Sequence, residues 1–278
     1  MLPQYLVREA VQRALAEDIG RGDITTDALI DGGAQASARL MAREAGIVAG
    51  LDLAEAAFRG VEPGITFERL IADGQPVKAG DVIARISGSA RALLSAERVA
   101  LNFMTHMSGI ASLTGRYVAA IAGSGARIVD TRKTLPGLRV FEKYAVRMGG
   151  GVNHRFALDD AAMIKDNHIV AAGGIGQAIR QVRAAIGHMV KICCEVDRID
   201  QIEEALAAGV DVLLLDNMGP ETLAQAVRLI AGRATAEASG KVSLDTVAAI
   251  AASGVDVISV GRLTHSAPAL DIALDFDG

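Results

Sequence analysis

The sequence predicts an α/β protein in which an incomplete α/β barrel follows an N-terminal α/β segment. Two patterns predict the barrel. From about residue 126 onward, short apolar strands end in polar residues and alternate with helical segments. Successive strand ends, at Glu195, Asp216, Glu237 and Gly261, lie 21, 21 and 24 residues apart, which is the spacing of β/α units. Strands that are apolar throughout are typical of a parallel sheet buried on both faces.

The first 108 residues lack this regular alternation and predict a mixture of helices and short strands. Over 3–18 the apolar residues recur on one helical face. Residues 17–26 are polar, contain two glycines and predict a loop. The elements predicted after this loop are a strand over 36–48, a helix over 52–60, short strands around glycine-containing turns over 65–88 and a long helix over 89–107.

Six strands are predicted in the rest of the chain, over 127–133, 161–167, 190–197, 210–217, 233–240 and 255–261. Helices are predicted after the third, fourth and fifth of them, to about residue 208, over 220–231 and over 243–253. Right-handed crossovers allow such strands to close into a barrel. Because six or seven parallel strands are visible, an incomplete barrel is favoured over an eight-stranded one. A doubly wound open sheet is the structural alternative.

Composition and charge exclude several classes of protein. The net charge of −5 and the aromatic content of 3% argue against a nucleic-acid-binding surface. No stretch of ~18 apolar residues runs without a charge, so no membrane span is expected, and no secretion signal is recognised. The two cysteines, Cys193 and Cys194, are neighbours and can form neither a disulfide framework nor a metal site. A reducing cytoplasm is therefore the expected location.

Charged residues at the predicted strand ends are segregated by sign. In a barrel the functional residues lie at the C-terminal ends of the strands. The earlier strand ends and loops carry the cations Arg132, Lys133, His154, Arg155 and Lys165. The later ends carry the acids Glu195 and Asp216. Polar strand ends that only meet solvent would not be expected to separate in this way.

These two sets suit two anionic substrates. Arginine offers a planar fork for carboxylates, and lysine acts as a point charge for phosphate. The acids could hold ribose hydroxyls, bind Mg²⁺ or stabilise a developing cation. Backbone N–H groups at Ser239-Gly240 and Gly261-Arg262, each leading towards a helix, suit a phosphate. A sugar phosphate together with a carboxylate-bearing second substrate would satisfy all three features.

The segment DTRKTLPGLRVFEKYAVRMGGGVNHRFALDDAAMIKDNHI (130–169) resembles the signature core of the quinolinate phosphoribosyltransferase family. Shorter segments also match that family in order. They are EDIGRGDITT (17–26), SAERVALNFM (95–104), SGIASLTGRYV (108–118), LLLDN (213–217), EASG (237–240) and ISVGRLTHS (258–266). The resemblance spans nearly the whole chain.

The resemblance implies a fold, an activity and an assembly. It implies an N-terminal α/β sandwich domain over 1–108, completed by about 267–278, and an α/β barrel phosphoribosyltransferase domain over 109–266. The implied enzyme is a carboxylating nicotinate-nucleotide diphosphorylase. It would transfer phosphoribosyl from phosphoribosyl pyrophosphate to quinolinate with decarboxylation, giving nicotinate mononucleotide, CO₂ and pyrophosphate in de novo NAD biosynthesis. Mg²⁺ and a homodimer with a shared active site are implied as well.

The resemblance also implies a role for each matching residue. Quinolinate would be bound by Arg98 from the partner subunit and by Thr131, Arg132, His154, Arg155 and Lys165. Phosphoribosyl pyrophosphate would be bound by Lys133, Glu195, Asp216, Asn217, Ser239, Gly240, Gly261 and His265. The catalytic residues would be Lys133, Glu195 and Asp216, the last two also offering a site for Mg²⁺.

Three positions depart from the family pattern, and two other functions stay open. Ala157 and Lys241 stand where glycine is common, and Arg262 replaces a residue that is usually small, which bears on the 5′-phosphate contacts. One alternative is the molybdenum-transport-associated homologue, which would be expected to lose the IKDNH segment kept here. The other is a non-catalytic sensor of pyridine acids or sugar phosphates, which should have lost Lys133, Glu195 or Asp216.

Overall fold

The N-terminal elements form the first of two units in the structure, a computed structural model that describes residues 2–277. This unit takes in the chain up to Gly115, Val140–Gly150 and the described residues from Ser266. The elements up to Ala120 are α1 (Gln4–Ile19), α2 (Ile24–Leu29), β1 (Gln35–Ala42), β2 (Gly46–Ile47), α3 (Leu51–Val61), β3 (Thr66–Arg69), β4 (Pro76–Val77), β5 (Val82–Ser89) and α4 (Ala90–Ala120).

The second unit consists of Arg116–Arg139 and Gly151–His265. The remaining elements of the chain are β6 (Arg127–Val129), α5 (Arg139–Met148), β7 (Ala162–Ile164), α6 (Asp166–Ala172), α7 (Ile175–Ala185), β8 (Ile192–Val196), α8 (Gln201–Ala207), β9 (Val212–Asp216), α9 (Pro220–Ile230), β10 (Thr235–Ser239), α10 (Val247–Ala252), β11 (Val257–Ser259), α11 (Arg262–His265) and β12 (Ile272–Phe276).

An antiparallel sheet with the strand order β12-β1-β5-β3 organises the first unit. Alternate residues of β1, including Leu40, are buried, which is the pattern of a sheet covered on one face. Helices α1 and α3 pack on each other, and a Cβ atom added to Gly60 would lie 2.8 Å from the Leu15 side chain. The small residue therefore allows this close approach.

A six-stranded parallel sheet with the order β6-β11-β10-β9-β8-β7 organises the second unit. Strands that follow one another from β7 to β11 are neighbours, and β6, the first in the chain, lies beside β11, the last. A doubly wound sheet would reverse its strand order at a switch point. The observed order is instead that of a barrel opened between β6 and β7.

Val152 adds a fragment of a seventh strand to this sheet. It forms an isolated parallel bridge with Val129 of β6, on the edge of β6 that does not face β11. The predicted fold class, an incomplete barrel of six or seven parallel strands after an N-terminal α/β unit, is therefore confirmed. The doubly wound alternative is wrong, because β6 closes back onto β11.

Several predicted boundaries differ from the structure; the strand predicted over 161–167, for example, includes the start of α6 at Asp166. The predicted loop over 17–26 contains the start of α2, where the Asp23 side chain accepts a hydrogen bond from the Thr26 N–H and caps the helix. Helix α4, predicted to end at residue 107, continues to Ala120. Gly109 lies inside this helix at a packing position, because an added Cβ would collide with the Pro268 carbonyl.

The predicted domain limits stay a prediction. Residue 108 lies inside α4, and β12 pairs with β1 in the first unit. Among the helices in the described part of the chain, none combines the length and apolarity that a membrane span requires.

Candidate active site

A cavity of about 610 Å³ lies at the C-terminal ends of the parallel strands, within the second unit. Its size is in the usual range for small-molecule sites. Of the fourteen residues assigned roles from the resemblance, the cavity is lined by Thr131, Arg132, Lys133, His154, Arg155, Lys165, Glu195, Asp216, Asn217, Ser239 and Gly240. The structure thus gathers in one place residues that are up to 110 positions apart in the sequence.

Strand register explains why these side chains meet. Ser239 of β10 pairs with Asp216 of β9, and Glu237 of β10 pairs with Leu214. Residues two apart on a strand share a face, so Ser239 and Glu237 both point into the cavity from β10. The apolar run of β9 keeps Leu213 and Leu215 buried on its opposite face, which fixes Asp216 on the cavity side.

Arg132 and Arg155 both line the cavity on its cationic side. Burial, and then the charge of Arg132, lower the pKa of Arg155. The Arg155 side chain is held by a 2.7 Å hydrogen bond from Nη1 to the Ala161 carbonyl. The Nε of Arg132 is buried and has no acceptor among the described residues. Two like charges that line one cavity favour an anionic ligand there.

His154 is held at both ring nitrogens. Its Nδ1 accepts a 2.8 Å hydrogen bond from the Arg155 N–H, so in the neutral ring Nε2 carries the proton. That nitrogen faces Oε2 of Glu237 at 3.5 Å. The buried carboxylate of Asp130 accepts a 2.9 Å hydrogen bond from the His154 N–H and a further one from the Asn153 side chain. These bonds fix the loop that carries both His154 and Arg155.

The acids of the cavity have partners inside it. Lys165 Nζ lies 3.0 Å from Oε2 of Glu195. The Lys165 N–H donates to Nδ1 of His168, which orients the loop before α6. Oδ2 of Asp216 accepts a 2.6 Å hydrogen bond from the Asn217 side chain. Lys165 and Glu195, expected on different substrates, therefore contact each other here.

A small cluster adjoins the cavity at Lys133, which lines it. Gly261 and His265 lie next to this lysine. A Cβ added to Gly261 would be 3.0 Å from Cδ of Lys133 and 3.4 Å from Nε2 of His265. The Thr264 hydroxyl donates a 2.7 Å hydrogen bond to the Lys133 carbonyl, and Oγ1 of Thr131 accepts one from the Lys133 N–H. Gly261 leaves open space that a larger residue would fill, as a phosphate cradle requires.

The loop after β10 needs a left-handed backbone. Gly240 has a φ of 98° and abuts the Asn217 side chain, leaving no room for a Cβ. Asn217 has a φ of 54° and Lys241 a φ of 42°. This is the conformation that glycine adopts most easily, so Lys241 takes a backbone conformation suited to the glycine common at that position. Ala157, which also stands where glycine is common, is not among the described residues with a positive φ, so alanine fits its backbone.

Glu237 lines the cavity and was not assigned a site role from the sequence. It is 3% exposed, and its Oε1 has no hydrogen-bond partner among the described residues. Burial, and then the charge of Glu237, raise the pKa of Cys193. The available signal was its position two residues before Ser239 on the same strand face.

Arg98 lies on α4 in the first unit and is not among the residues that line the cavity. Its side chain is exposed, and no hydrogen bond or ion pair to it is found among the described residues. Arg262 is also exposed, at the start of α11. The roles assigned to individual site residues stay predictions.

Comparison with known proteins gives matches over nearly the whole chain. The family model described as quinolinate phosphoribosyl transferase, N-terminal domain, matches residues 23–108, and the corresponding C-terminal domain matches 110–275. A relative from Synechocystis sp., named probable nicotinate-nucleotide pyrophosphorylase [carboxylating], is 45% identical and aligns with 98% of this chain and 94% of its own length. A relative of the same name from Bacillus subtilis is 42% identical and aligns with 97% of this chain and 93% of its own length.

Solved structures agree with the sequence matches. The crystal structure of NadC from Streptococcus pyogenes is 44% identical and superposes with a TM-score of 0.96, covering 100% of this chain and 99% of that one. The likeness therefore includes both units and the strand ends that form the cavity.

Proposed function

The chain belongs to the quinolinate phosphoribosyltransferase family. From that membership we propose which residues of the cavity bind each of the two substrates. The enzyme transfers phosphoribosyl from phosphoribosyl pyrophosphate to quinolinate with decarboxylation. The products are nicotinate mononucleotide, CO₂ and pyrophosphate, in de novo NAD biosynthesis.

The observation that carries the assignment of the quinolinate subsite is that Arg132 and Arg155 line the same cavity. The two charges repel each other, and a buried donor of Arg132 has no acceptor among the described residues. Quinolinate brings two carboxylates on adjacent ring atoms, which matches two planar forks. Thr131, His154 and Lys165 complete this subsite.

Phosphoribosyl pyrophosphate occupies the other side of the cavity in this proposal. Lys133, Gly261 and His265 are contiguous, and Lys133 is exposed enough to meet a charged leaving group. Ser239 and Gly240 receive the 5′-phosphate beside Asn217. Glu195 and Asp216 accept hydrogen bonds from the ribose hydroxyls and favour positive charge on the ribose carbon.

The carboxylates of Glu195 and Asp216 fit a Mg²⁺ ion that enters with its substrate. They line the same cavity, and no group of three or more His, Cys, Asp or Glu suited to a metal is found within residues 2–277. Mg²⁺ usually takes one or two carboxylates and completes its shell with phosphates and water. When bound, the ion would neutralise charge on the pyrophosphate.

The reaction uses positioning and charge more than acid–base chemistry. Arg132 and Arg155 hold quinolinate so that its ring nitrogen attacks C1 of the ribose. Lys133 stabilises the departing pyrophosphate, and Glu195 and Asp216 face the carbon that gains positive character. The positive ring nitrogen then stabilises the electron pair left on the adjacent carbon when its carboxylate leaves as CO₂, and that carbon takes up one proton from solvent, so no further cofactor is needed.

We also propose a homodimer in which Arg98 of one subunit reaches the quinolinate site of the other. The exposed guanidinium without a partner in the described chain supports this. A cytoplasmic location is proposed as well, because Cys193 and Cys194 are both free and buried.

A single assay tests the function. Purified protein is incubated with quinolinate, phosphoribosyl pyrophosphate and Mg²⁺, with nicotinate as the parallel acid and a chelator in a third arm. We expect nicotinate mononucleotide to form from quinolinate but not from nicotinate. The chelator should abolish product formation, and added Mg²⁺ should restore it. Binding of quinolinate without product would make the chain a sensor, and Ala157, Lys241 and Arg262 would be the first positions to revert.

A further inference from the structure

The three carboxylates that line the cavity differ in how far their charge is neutralised. Glu195 pairs with Lys165 at 3.0 Å, and Asp216 accepts a hydrogen bond from Asn217. Glu237 has only His154, at 3.5 Å from Oε2, and its Oε1 has no donor among the described residues. It is also the most deeply buried acid, because its side chain is 4% exposed against 21% for Glu195.

Glu237 lies between the two proposed subsites. On one side it faces His154, which belongs to the quinolinate subsite. On the other, Ser239 follows two residues later on the same strand face, about 7 Å further along the strand, and pairs with Asp216. The position that separates these groups is where the acid and the ribose must meet.

Positive charge develops at the place where the acid and the ribose meet. The nitrogen lone pair of quinolinate forms the bond to C1, and the C1–O bond breaks with its electron pair leaving on pyrophosphate. The ring nitrogen becomes quaternary and positive, and C1 carries positive character in the transition state. Before the reaction, the same place holds a doubly negative acid.

We propose that Glu237 is a further catalytic residue, whose buried carboxylate faces the joining point of the substrates and stabilises the positive charge formed on the ring nitrogen and the ribose carbon. This inference rests on the proposed function. A fixed negative charge here opposes binding of the dianionic acid and favours the transition state, which is the differential stabilisation that raises kcat. Burial strengthens the effect because little water screens it.

The same observations explain why the carboxylate is costly to the fold. A buried carboxylate with one unpaired oxygen destabilises the folded state. A neutral side chain of the same size should therefore fold at least as well. Loss of activity without loss of stability would separate a catalytic role from a structural one.

The test compares Glu237→Gln and Glu237→Asp with the wild type. Calorimetry measures quinolinate binding without phosphoribosyl pyrophosphate, so no turnover occurs, and steady-state kinetics follows separately. For Glu237→Gln we expect quinolinate to bind roughly fivefold more tightly and kcat to fall about 10²-fold, with an unchanged or higher melting temperature. Glu237→Asp keeps the charge and should recover part of kcat, and it serves as the test if the glutamine variant does not fold.

Glu142→Gln is the matched control. Glu142 is a buried glutamate that contacts a histidine, His106, in the first unit, so the exchange is chemically the same and lies outside the cavity. Its quinolinate affinity should match the wild type. Unchanged or weaker quinolinate binding in Glu237→Gln, or an unchanged kcat, overturns the inference. A wild-type protein that binds quinolinate but forms no product overturns the proposed function instead.

Discussion

At the scale of single residues, the cavity holds charges that neutralise one another until substrate arrives. Lys165 and Glu195 form an ion pair at 3.0 Å, although they are proposed to bind different substrates. The Lys165 side chain is about half exposed, and such a pair contributes at most ~1 kcal/mol. A substrate carboxylate can therefore displace Glu195 from Lys165 at little cost and leave Glu195 free for the ribose.

We predict that Glu195→Ala and Asp216→Ala lower kcat more than they weaken quinolinate binding. Each change removes negative charge near the ribose carbon, which should cost about 10²-fold in kcat. Glu195→Ala also frees Lys165 for the acid. Steady-state kinetics and quinolinate titration check this, with Glu203→Ala as a control, since Glu203 pairs with Arg233 on the surface of the same unit. An unchanged kcat in both variants would contradict an electrostatic role for Glu195 and Asp216.

At the scale of elements, the strands of the parallel sheet were predictable from sequence, whereas β12 and some helices were not. Apolar runs such as Val212–Asp216 are buried on both faces, so their pattern alone reports the sheet. Helix α5 was not predicted, and α4 was predicted to end at residue 107, two residues before Gly109. The reason for that glycine is contact with Pro268, a residue 159 positions later, and no local pattern encodes such a contact.

The candidate site shows the same division between local and distant information. Arg132, Glu195 and Asp216 could be predicted because each ends a recognisable strand, and the family motifs named the rest. Glu237 also ends a predicted strand, but no role followed from that position alone, because its significance lies in its partners. Only the folded chain shows that His154 faces one of its oxygens and that the other has no donor among the described residues.

The half-buried Asp73 links α3 and α5 in the first unit through two hydrogen bonds. Asp73 accepts one bond from the Leu51 N–H at the start of α3 and a 2.7 Å bond from the Tyr144 hydroxyl on α5. Burial, which outweighs these bonds, raises the pKa of Asp73 above its usual value. Burial and then the charge of Asp73 raise the pKa of Tyr144. The ionised carboxylate is thus costly in the folded state at neutral pH.

We predict that Asp73→Asn becomes more favourable relative to the wild type as pH rises from 4 to 7. An acid with a raised folded pKa contributes most to stability below its unfolded pKa, near 3.8, and loses that contribution as pH rises through the folded pKa. Asparagine does not titrate. Melting temperatures of both proteins across this range give the comparison, and a difference that is constant or of opposite slope would contradict the raised pKa.

At the scale of the whole molecule, the proposed site needs more than one chain. Arg98 is an exposed cation of the first unit, and the cavity belongs to the second. Exposed apolar side chains also occur in both units, among them Ile24 at 86% and Val170 at 81% exposure. A two-fold dimer would make each contact between the subunits twice.

Mixing two inactive variants tests the shared site. We predict that Arg98→Ala and Asp216→Ala, each nearly inactive alone, regain activity when unfolded and refolded together. In a mixed dimer, one cavity combines an intact Asp216 with an intact Arg98 from the other chain, and the second cavity lacks both. Random pairing makes half of the dimers mixed with one working site of two, so about a quarter of wild-type activity should return.

The stoichiometry distinguishes this arrangement from its alternatives. If Arg98 served the cavity of its own chain, every site in the mixture would lack one residue and no activity would return. Refolding Asp216→Ala with Glu195→Ala provides the matched control, because both residues line one cavity of one chain and no pairing of subunits can restore it. Recovery in the first mixture but not in the second would place Arg98 in the partner's site, and size measurement of the refolded protein would show the dimer directly.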